Sequence, residues 1–249
     1  MKEDKYDLAG LLIAEWKRNG LEWERIAEIA RSKGFQVWNP ALYAIDMYSL
    51  FLRRFPPSRG AILAVGLNPG PFGMAQTGIP FTDCRTATER LGIDMEIPGK
   101  APEDLAIRLK KENGKWRSTY ERSSIIIYRF LQEAWGGSLE KAYSNWYVGN
   151  PCPLLFLEPD GWNVTPAEPR LRKIEGIDEL RKSAVAGFHR ILSSRAIVCL
   201  GKDVSRAIGG TAKSLVGASR VIHFSHPARA VPAIWSRNLT EELKSRDLL

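Results

Sequence analysis

The chain has 249 residues, 44% apolar and 26% charged, enough for a buried core and unlike a disordered polymer. No apolar run approaches the ~20 residues of a membrane span, and the opening MKEDKYDLAG, with acids at Glu3, Asp4 and Asp7, does not read as a signal peptide. Cys84, Cys152 and Cys199 are distant and odd in number, which excludes a four-cysteine Fe–S cluster and argues against a disulfide framework or a Cys-based zinc site. The net charge of +8 is concentrated in residues 160–249, with 15 basic against 9 acidic side chains, whereas residues 1–159 hold 21 against 19. A basic last third suits a polyanion face. It equally suits a solvated helix surface carrying Arg170, Arg172, Lys173, Arg181, Lys182 and Arg190.

Residues 5–18 and 21–33 place apolar positions at helical spacing, separated by Asn19-Gly20 and closed by Lys33-Gly34, so residues 1–35 read as an N-terminal helical extension. A helix-turn-helix would share that pattern, though nothing else supports one. A third helix is expected over 41–54. AILAVGL (61–67), NWYVG (145–149), AIVCLG (196–201) and SRVIHF (219–224) are short apolar runs that read as buried strands. Segments 119–135 and 176–193 supply helical crossovers, which predicts a parallel α/β sheet in three layers, α/β/α, within one domain whose core spans 36–249. Residues 92–118 are polar and Gly/Pro-punctuated and read as a surface excursion.

Open α/β sheets bind ligands beyond the carboxyl ends of their strands. The four ends carry Asn68-Pro69-Gly70-Pro71, Asn150-Pro151-Cys152-Pro153, Gly201-Lys202 and Ser225-His226-Pro227. A site built from Asn68, Asn150 and His226 follows, with prolines fixing the local backbone. The first loop is no dinucleotide fingerprint, because Asn68 and two prolines replace what GxGxxG requires, and the chain has no Walker A loop. A rigid loop with exposed N–H groups, an uncharged amide and the aromatic Phe81 suits a flat, neutral, hydrogen-bonding ligand such as a nucleobase.

Residues 66–81, GLNPGPFGMAQTGIPF, closely resemble the first active-site motif of the SMUG family, the single-strand-selective monofunctional uracil-DNA glycosylases. NPCPLLFLEPDGWNVTPAE (150–168) resembles the family's central segment, VWNPALYAIDMYSLFLRRF (37–55) its lead-in helix, and His226-Pro227 the start of its second catalytic motif. The resemblance covers residues 36–235 and implies a central four-stranded parallel sheet with a uracil-DNA glycosylase-like fold. The chain departs from the family after His226-Pro227, reading Ala228-Arg229-Ala230-Val231-Pro232 where the family carries a longer segment that wedges into DNA. It resembles a divergent bacterial branch.

The resemblance implies removal of uracil, and of 5-hydroxymethyluracil or other deaminated bases, from DNA without strand cleavage. Asn68 and His226 would be catalytic, the first orienting water and the second donating to O2 of the departing base. Leu67, Gly70, Met74, Phe81 and Asn150 would bind the base: Phe81 as stacking platform, Asn150 pairing with N3–H and O4, Gly70 and Met74 offering N–H groups to a water near C5. Pro71, Lys202, Ser225, Pro227 and Arg229 would face DNA, with Arg229 placed to enter the duplex. No lysine lies in these motifs, so no Schiff-base step is expected. His223 and His226 lack a third ligand at suitable spacing, so no metal and no cofactor is expected.

Asp83 reads as a surface acid or a secondary water ligand. The sequons at Asn163 and Asn238 carry no meaning without secretion. The implied partner is uracil-containing DNA, single- or double-stranded, and not a membrane, for a monomer in the bacterial cytoplasm on the nucleoid or in a eukaryotic nucleus. Two alternatives stay open: a non-catalytic binder of uracil-containing or abasic DNA, and an RNA- or nucleotide-processing hydrolase.

Overall fold

The computed structural model describes residues 7–249, so Lys5 and Tyr6 of the first predicted helix lie outside the described residues. The described residues form seven strands: β1 (Gln36–Trp38), β2 (Ile62–Val65), β3 (Trp146–Gly149), β4 (Leu155–Leu157), β5 (Asn163–Val164), β6 (Ile197–Leu200) and β7 (Val221–Phe224). Four of them form the expected all-parallel sheet in the order β3-β2-β6-β7. Strands β2, β3 and β6 are buried at every position, as an apolar run covered on both faces must be.

The pleat sorts neighbouring side chains into opposite layers. On β3, Trp146 packs edge-on against Phe130 at 5.0 Å, while the next residue, Tyr147, meets Phe188 at 5.6 Å. Phe130 belongs to helix Arg122–Ala134, which packs on Pro232–Lys244 through Trp235. Phe188 belongs to Ile177–Leu192, which packs on Lys202–Val216. The result is a three-layer α/β/α fold.

The first two helices, Leu8–Lys17 and Gly20–Ser32, spend their apolar faces inside this body. Leu12 and Trp16 enter the main core, and the Trp16 indole donates to the Tyr147 hydroxyl at 3.2 Å. Trp23, Ile26, Ala27 and Ala30 join a second cluster with Val37, Leu154 and Phe156. With both faces so used, no separate helix-turn-helix unit stands out.

Three expectations need correction. The segment 37–55 does not begin as a helix: Val37 pairs with Phe156, and β1, β4 and β5 make a small antiparallel sheet that the short runs did not announce. The helix expected over 41–54 is broken at Ala44 into Pro40–Tyr43 and Ile45–Arg54. Gly78, at φ +71°, lies so close that a β-carbon there would stand 2.5 Å from the Ala44 carbonyl oxygen. Finally, residues 92–118 are more than a surface excursion. They contain helix Glu103–Arg108, and Leu105 and Leu109 are fully buried against Ala75, Leu155 and Leu157, closing the back of the first loop. Hairpin β4–β5 brings both ends of segment 150–165 to the same place, the carboxyl edge of the parallel sheet.

Candidate active site

That edge holds a cavity of about 190 Å³ lined by Leu67, Asn68, Gly70, Met74, Phe81, Asn150 and His226. All seven residues read as catalytic or base-binding are therefore brought together. Phe81 sits on a floor fixed by short-range bonds. The Thr77 hydroxyl donates to the Thr82 carbonyl at 2.7 Å, and Gln76 Nε2 donates to the Pro71 carbonyl at 3.2 Å. Phe81 itself is held at φ +55°, a left-handed conformation uncommon for an aromatic residue. It is 6% exposed, with its ring 6.0 Å from that of His226.

Each polar group has its orientation set by its neighbours. Asn68 Nδ2 faces two backbone carbonyls, Leu154 at 3.1 Å and Pro69 at 3.3 Å. Only the amide nitrogen can donate to carbonyls, so Oδ1 is left as an acceptor. The Ala228 N–H donates to His226 Nδ1 at 3.2 Å, which places the imidazole proton on Nε2. Burial, and then the Arg229 charge, hold the His226 pKa below its usual value, so the neutral ring is the working form.

Asn150 is buried and donates from Nδ2 to the Met74 sulfur at 3.2 Å. Its Oδ1 is buried without any partner. A buried orphan acceptor costs roughly 1–3 kcal/mol. It is held tight over Gly66, where a β-carbon would stand 2.2 Å from Oδ1 and 2.7 Å from Phe81 Cε2. Gly66→Ala must therefore push both groups aside. The substitution is expected to lower folding stability by about 1–3 kcal/mol, the usual cost of overpacking. Urea melts would check this, and an unchanged midpoint would mean that the two side chains do not crowd Gly66.

Among residues read as facing DNA, Lys202, Ser225 and Arg229 are exposed. Pro71 and Pro227 are buried and set backbone direction instead of meeting DNA as surface side chains. Pro71 lies at the loop whose carbonyl holds Gln76, and Pro227 starts a short 3-10 turn that Arg122 Nη2 ties down through the Ala230 carbonyl. Asp83 is not a surface acid. It is 1% exposed, caps helix Cys84–Leu91 by accepting from Thr86 N–H at 2.8 Å, and accepts from Glu121 N–H at 2.9 Å. His223 turns away from the pocket toward Gly209. Among the described residues, no three His, Cys, Asp or Glu side chains converge as a metal site.

Glu121 was missed. It lines the cavity beside Arg122, Ser123, Asn163 and Thr165. Its carboxylate lies against the first loop, where β-carbons on Gly70 or Gly73 would stand 2.4 and 2.0 Å from Oε2. Oε2 has no partner, while Oε1 accepts a very short bond from the Ser123 hydroxyl. Burial pushes the Glu121 pKa up to about 7; Ser123 opposes the shift and Asp83 adds to it. No local signal marks this residue, since an acid ahead of a predicted helix is ordinary.

Because the folded state keeps this proton while an unfolded Glu loses it near pH 4.5, stability falls as pH rises from about 4.5 to about 7. Glu121→Gln removes the ionisation and is expected to stabilise the protein on the order of 3 kcal/mol more at pH 8 than at pH 4. Urea melts at both values would check it, and an equal effect at both would refute the buried ionisation.

The three-layer α/β/α fold encloses, at the carboxyl ends of its parallel strands, a pocket lined by Asn68, Phe81, Asn150 and His226. No protein-family model matches the chain. It is 28% identical over 219 residues to the single-strand selective monofunctional uracil DNA glycosylase of Bos taurus, covering 86% of this chain and 78% of that protein. The Mus musculus protein of the same name is 28% identical over 220 residues, covering 86% and 76%. The crystal structure of Pedobacter heparinus SMUG2 superposes with a TM-score of 0.64 at 22% identity, over 86% of this chain and 89% of that one, and shares the fold. In sequence the chain is similar to the SMUG proteins over most of its length, and in fold to SMUG2.

Proposed function

We propose that this chain is a monofunctional uracil-DNA glycosylase that hydrolyses the N-glycosidic bond of uracil in DNA and leaves an abasic site. The observation that carries the reading is the buried, partnerless Oδ1 of Asn150 beside an Nδ2 held by the Met74 sulfur. Uracil answers both atoms at once, with N3–H donating to Oδ1 and O4 accepting from Nδ2 in place of a weak sulfur acceptor. Cytosine offers an acceptor at N3 and a donor at N4, the opposite pattern. Turning the amide over would leave Oδ1 against a sulfur that cannot donate.

The base must leave the stack, at a cost of a few kcal/mol. Stacking on Phe81 returns about 1–3 kcal/mol of it. Asn68 Oδ1 accepts a hydrogen bond from the attacking water and aims its oxygen at the anomeric carbon; as an amide it orients the water without taking its proton, which passes to solvent or to the departing uracil anion as the glycosidic bond gives way. His226 Nε2–H donates to O2 as negative charge gathers on the leaving base. Gly70 and Met74 N–H groups hold a water near C5, whose replacement by a hydroxymethyl group would admit 5-hydroxymethyluracil. No lysine lines the cavity, so an amine attack on the sugar has no nucleophile there. Exposed Lys202, Ser225 and Arg229 meet the DNA strand.

The test uses end-labelled oligonucleotides with one central uracil, single-stranded or paired with guanine, in EDTA, with and without later alkali. Wild type is expected to give alkali-dependent cleavage that both Asn68→Ala and His226→Ala depress. Tight binding without base release would instead make this a damage-recognition protein. Cleavage without alkali would refute the monofunctional reading.

A further inference from the structure

A second cleft, of about 410 Å³, opens between helices Ile177–Leu192 and Lys202–Val216. Its charged lining is Arg172, Asp178, Arg181, Lys182, Asp203 and Arg206, four cations against two carboxylates. Arg181 is not part of a solvated basic surface, as its position in a charged run suggested. It is 2% exposed. Nη1 donates to Asp178 Oδ1 at 2.9 Å, while Nε and Nη2 are buried with no partner. A buried guanidinium balanced by one half-exposed carboxylate is under-compensated, since a charge taken out of water needs partners on all its donors. Asp203 is already engaged by Arg206 at 2.5 Å, and Lys182 stands 3.7 Å from Glu179, so neither acid supplies what Arg181 lacks.

The place of this cleft in the fold matters as much as its charge. Both helices begin at the carboxyl edge of the parallel sheet, the edge that carries Asn68, Asn150 and His226. Thr165 lines the base pocket, and its chain neighbour Pro166 lines the cleft, so the two openings adjoin. Gly210 lies on the cleft face of its helix with open space where a side chain would stand.

We propose that this cleft is a phosphate-binding site, with Arg181 as a fixed counter-charge and Arg172, Lys182 and Arg206 as the groups that reach the anion. Its planar guanidinium forks suit phosphate oxygens. Two sources share that chemistry: a backbone phosphate of the strand whose base enters the pocket, and free phosphate. The first source rests on the glycosylase reading; the second does not.

Because a buried Arg181 substitution can fail to fold, the test uses Arg206→Gln and Gly210→Glu, the latter adding a carboxylate where space is open. Anisotropy would follow binding of a single-stranded oligonucleotide carrying one excision-resistant 2′-fluorouridine across a range of NaCl. Calorimetry would titrate the same proteins with inorganic phosphate. A backbone phosphate predicts that each variant binds the oligonucleotide about tenfold more weakly, with the salt slope reduced by about 1. A free-phosphate site predicts saturable phosphate binding by wild type, lost in Gly210→Glu, with an unchanged oligonucleotide slope. Wild-type slopes in both variants together with no saturable phosphate binding would overturn the proposal. Uracil release from unmodified DNA is scored separately, so failure of the glycosylase reading stays distinct from failure of this site.

Discussion

Replacing His226 by alanine is expected to slow uracil release by about 10²–10³-fold while leaving affinity for an uncleavable substrate nearly unchanged, the usual consequence of removing one preorganised donor to a developing anion. The expectation rests on tautomer and burial. With the Ala228 N–H occupying Nδ1, Nε2–H is the only proton the ring can offer. The ring is already oriented when charge begins to gather on O2, so no reorganisation is spent at that moment. Because burial holds the His226 pKa below its usual value of 6.5, the neutral donor persists throughout the range above pH 6.5. Rates in that range should therefore show no titration from this group, and any acid limb it contributes should lie lower. Single-turnover rates from pH 5.5 to 8.5, set beside binding of the uncleavable substrate, would check both statements. A His226→Ala protein that loses binding and rate in proportion would assign the histidine to grip.

Asn150→Asp should change what the pocket accepts. At neutral pH the new carboxylate would face O4 with a negative charge and lose the Nδ2 donor now resting on the Met74 sulfur. Unpaired or mispaired buried charged groups cost about 3 kcal/mol, so uracil release should fall by about 10²-fold. Desolvation raises the pKa of a buried Asp, and its protonated form presents one O–H and one carbonyl oxygen. That pair complements N3 and N4–H of cytosine. Cytosine release is thus expected to emerge and to rise as pH falls from 8 to 6. Matched uracil and cytosine oligonucleotides at both values would decide the matter. Continued strict selection of uracil at an unreduced rate would remove Asn150 from the pairing edge.

Much of this site was legible in the linear chain because its groups are local to strand ends. Apolar runs at 61–67, 145–149, 196–201 and 219–224 mark buried parallel strands, and in such a sheet the residues just past each run must converge on one edge. That rule, with a polar side chain beside a proline at three of the four ends, selects Asn68, Asn150 and His226, and the 66–81 loop brings Phe81 with them. The small antiparallel sheet was not legible. Its strands are two or three residues long, too short for a period of two to register, and they exist only because Val37 finds Phe156 across a large sequence separation. The break at Ala44 lies where Gly78 approaches from a distant segment, and Asp83 could be told from a surface acid only once Glu121 N–H and Thr86 N–H were placed around it.

Length, composition, apolar periodicity and the identity of the residues at four strand ends were enough to indicate an α/β/α layering and a neutral amide-and-histidine site, while the motifs at 37–55, 66–81, 150–168 and 226–227 carried the resemblance to a uracil-removing family. Those properties depend on spacing along the chain and on side-chain chemistry, which the order of residues carries directly. Tertiary structure alone decided the electrostatic state of the groups. It fixed the neutral Nε2–H form of His226, left Asn150 Oδ1 without a partner, lifted Glu121 to about 7, and buried Arg181 with two unanswered nitrogens. Burial and hydrogen-bond partners set those states, and both are supplied by segments far apart in sequence, so they come into being only when the chain closes on itself.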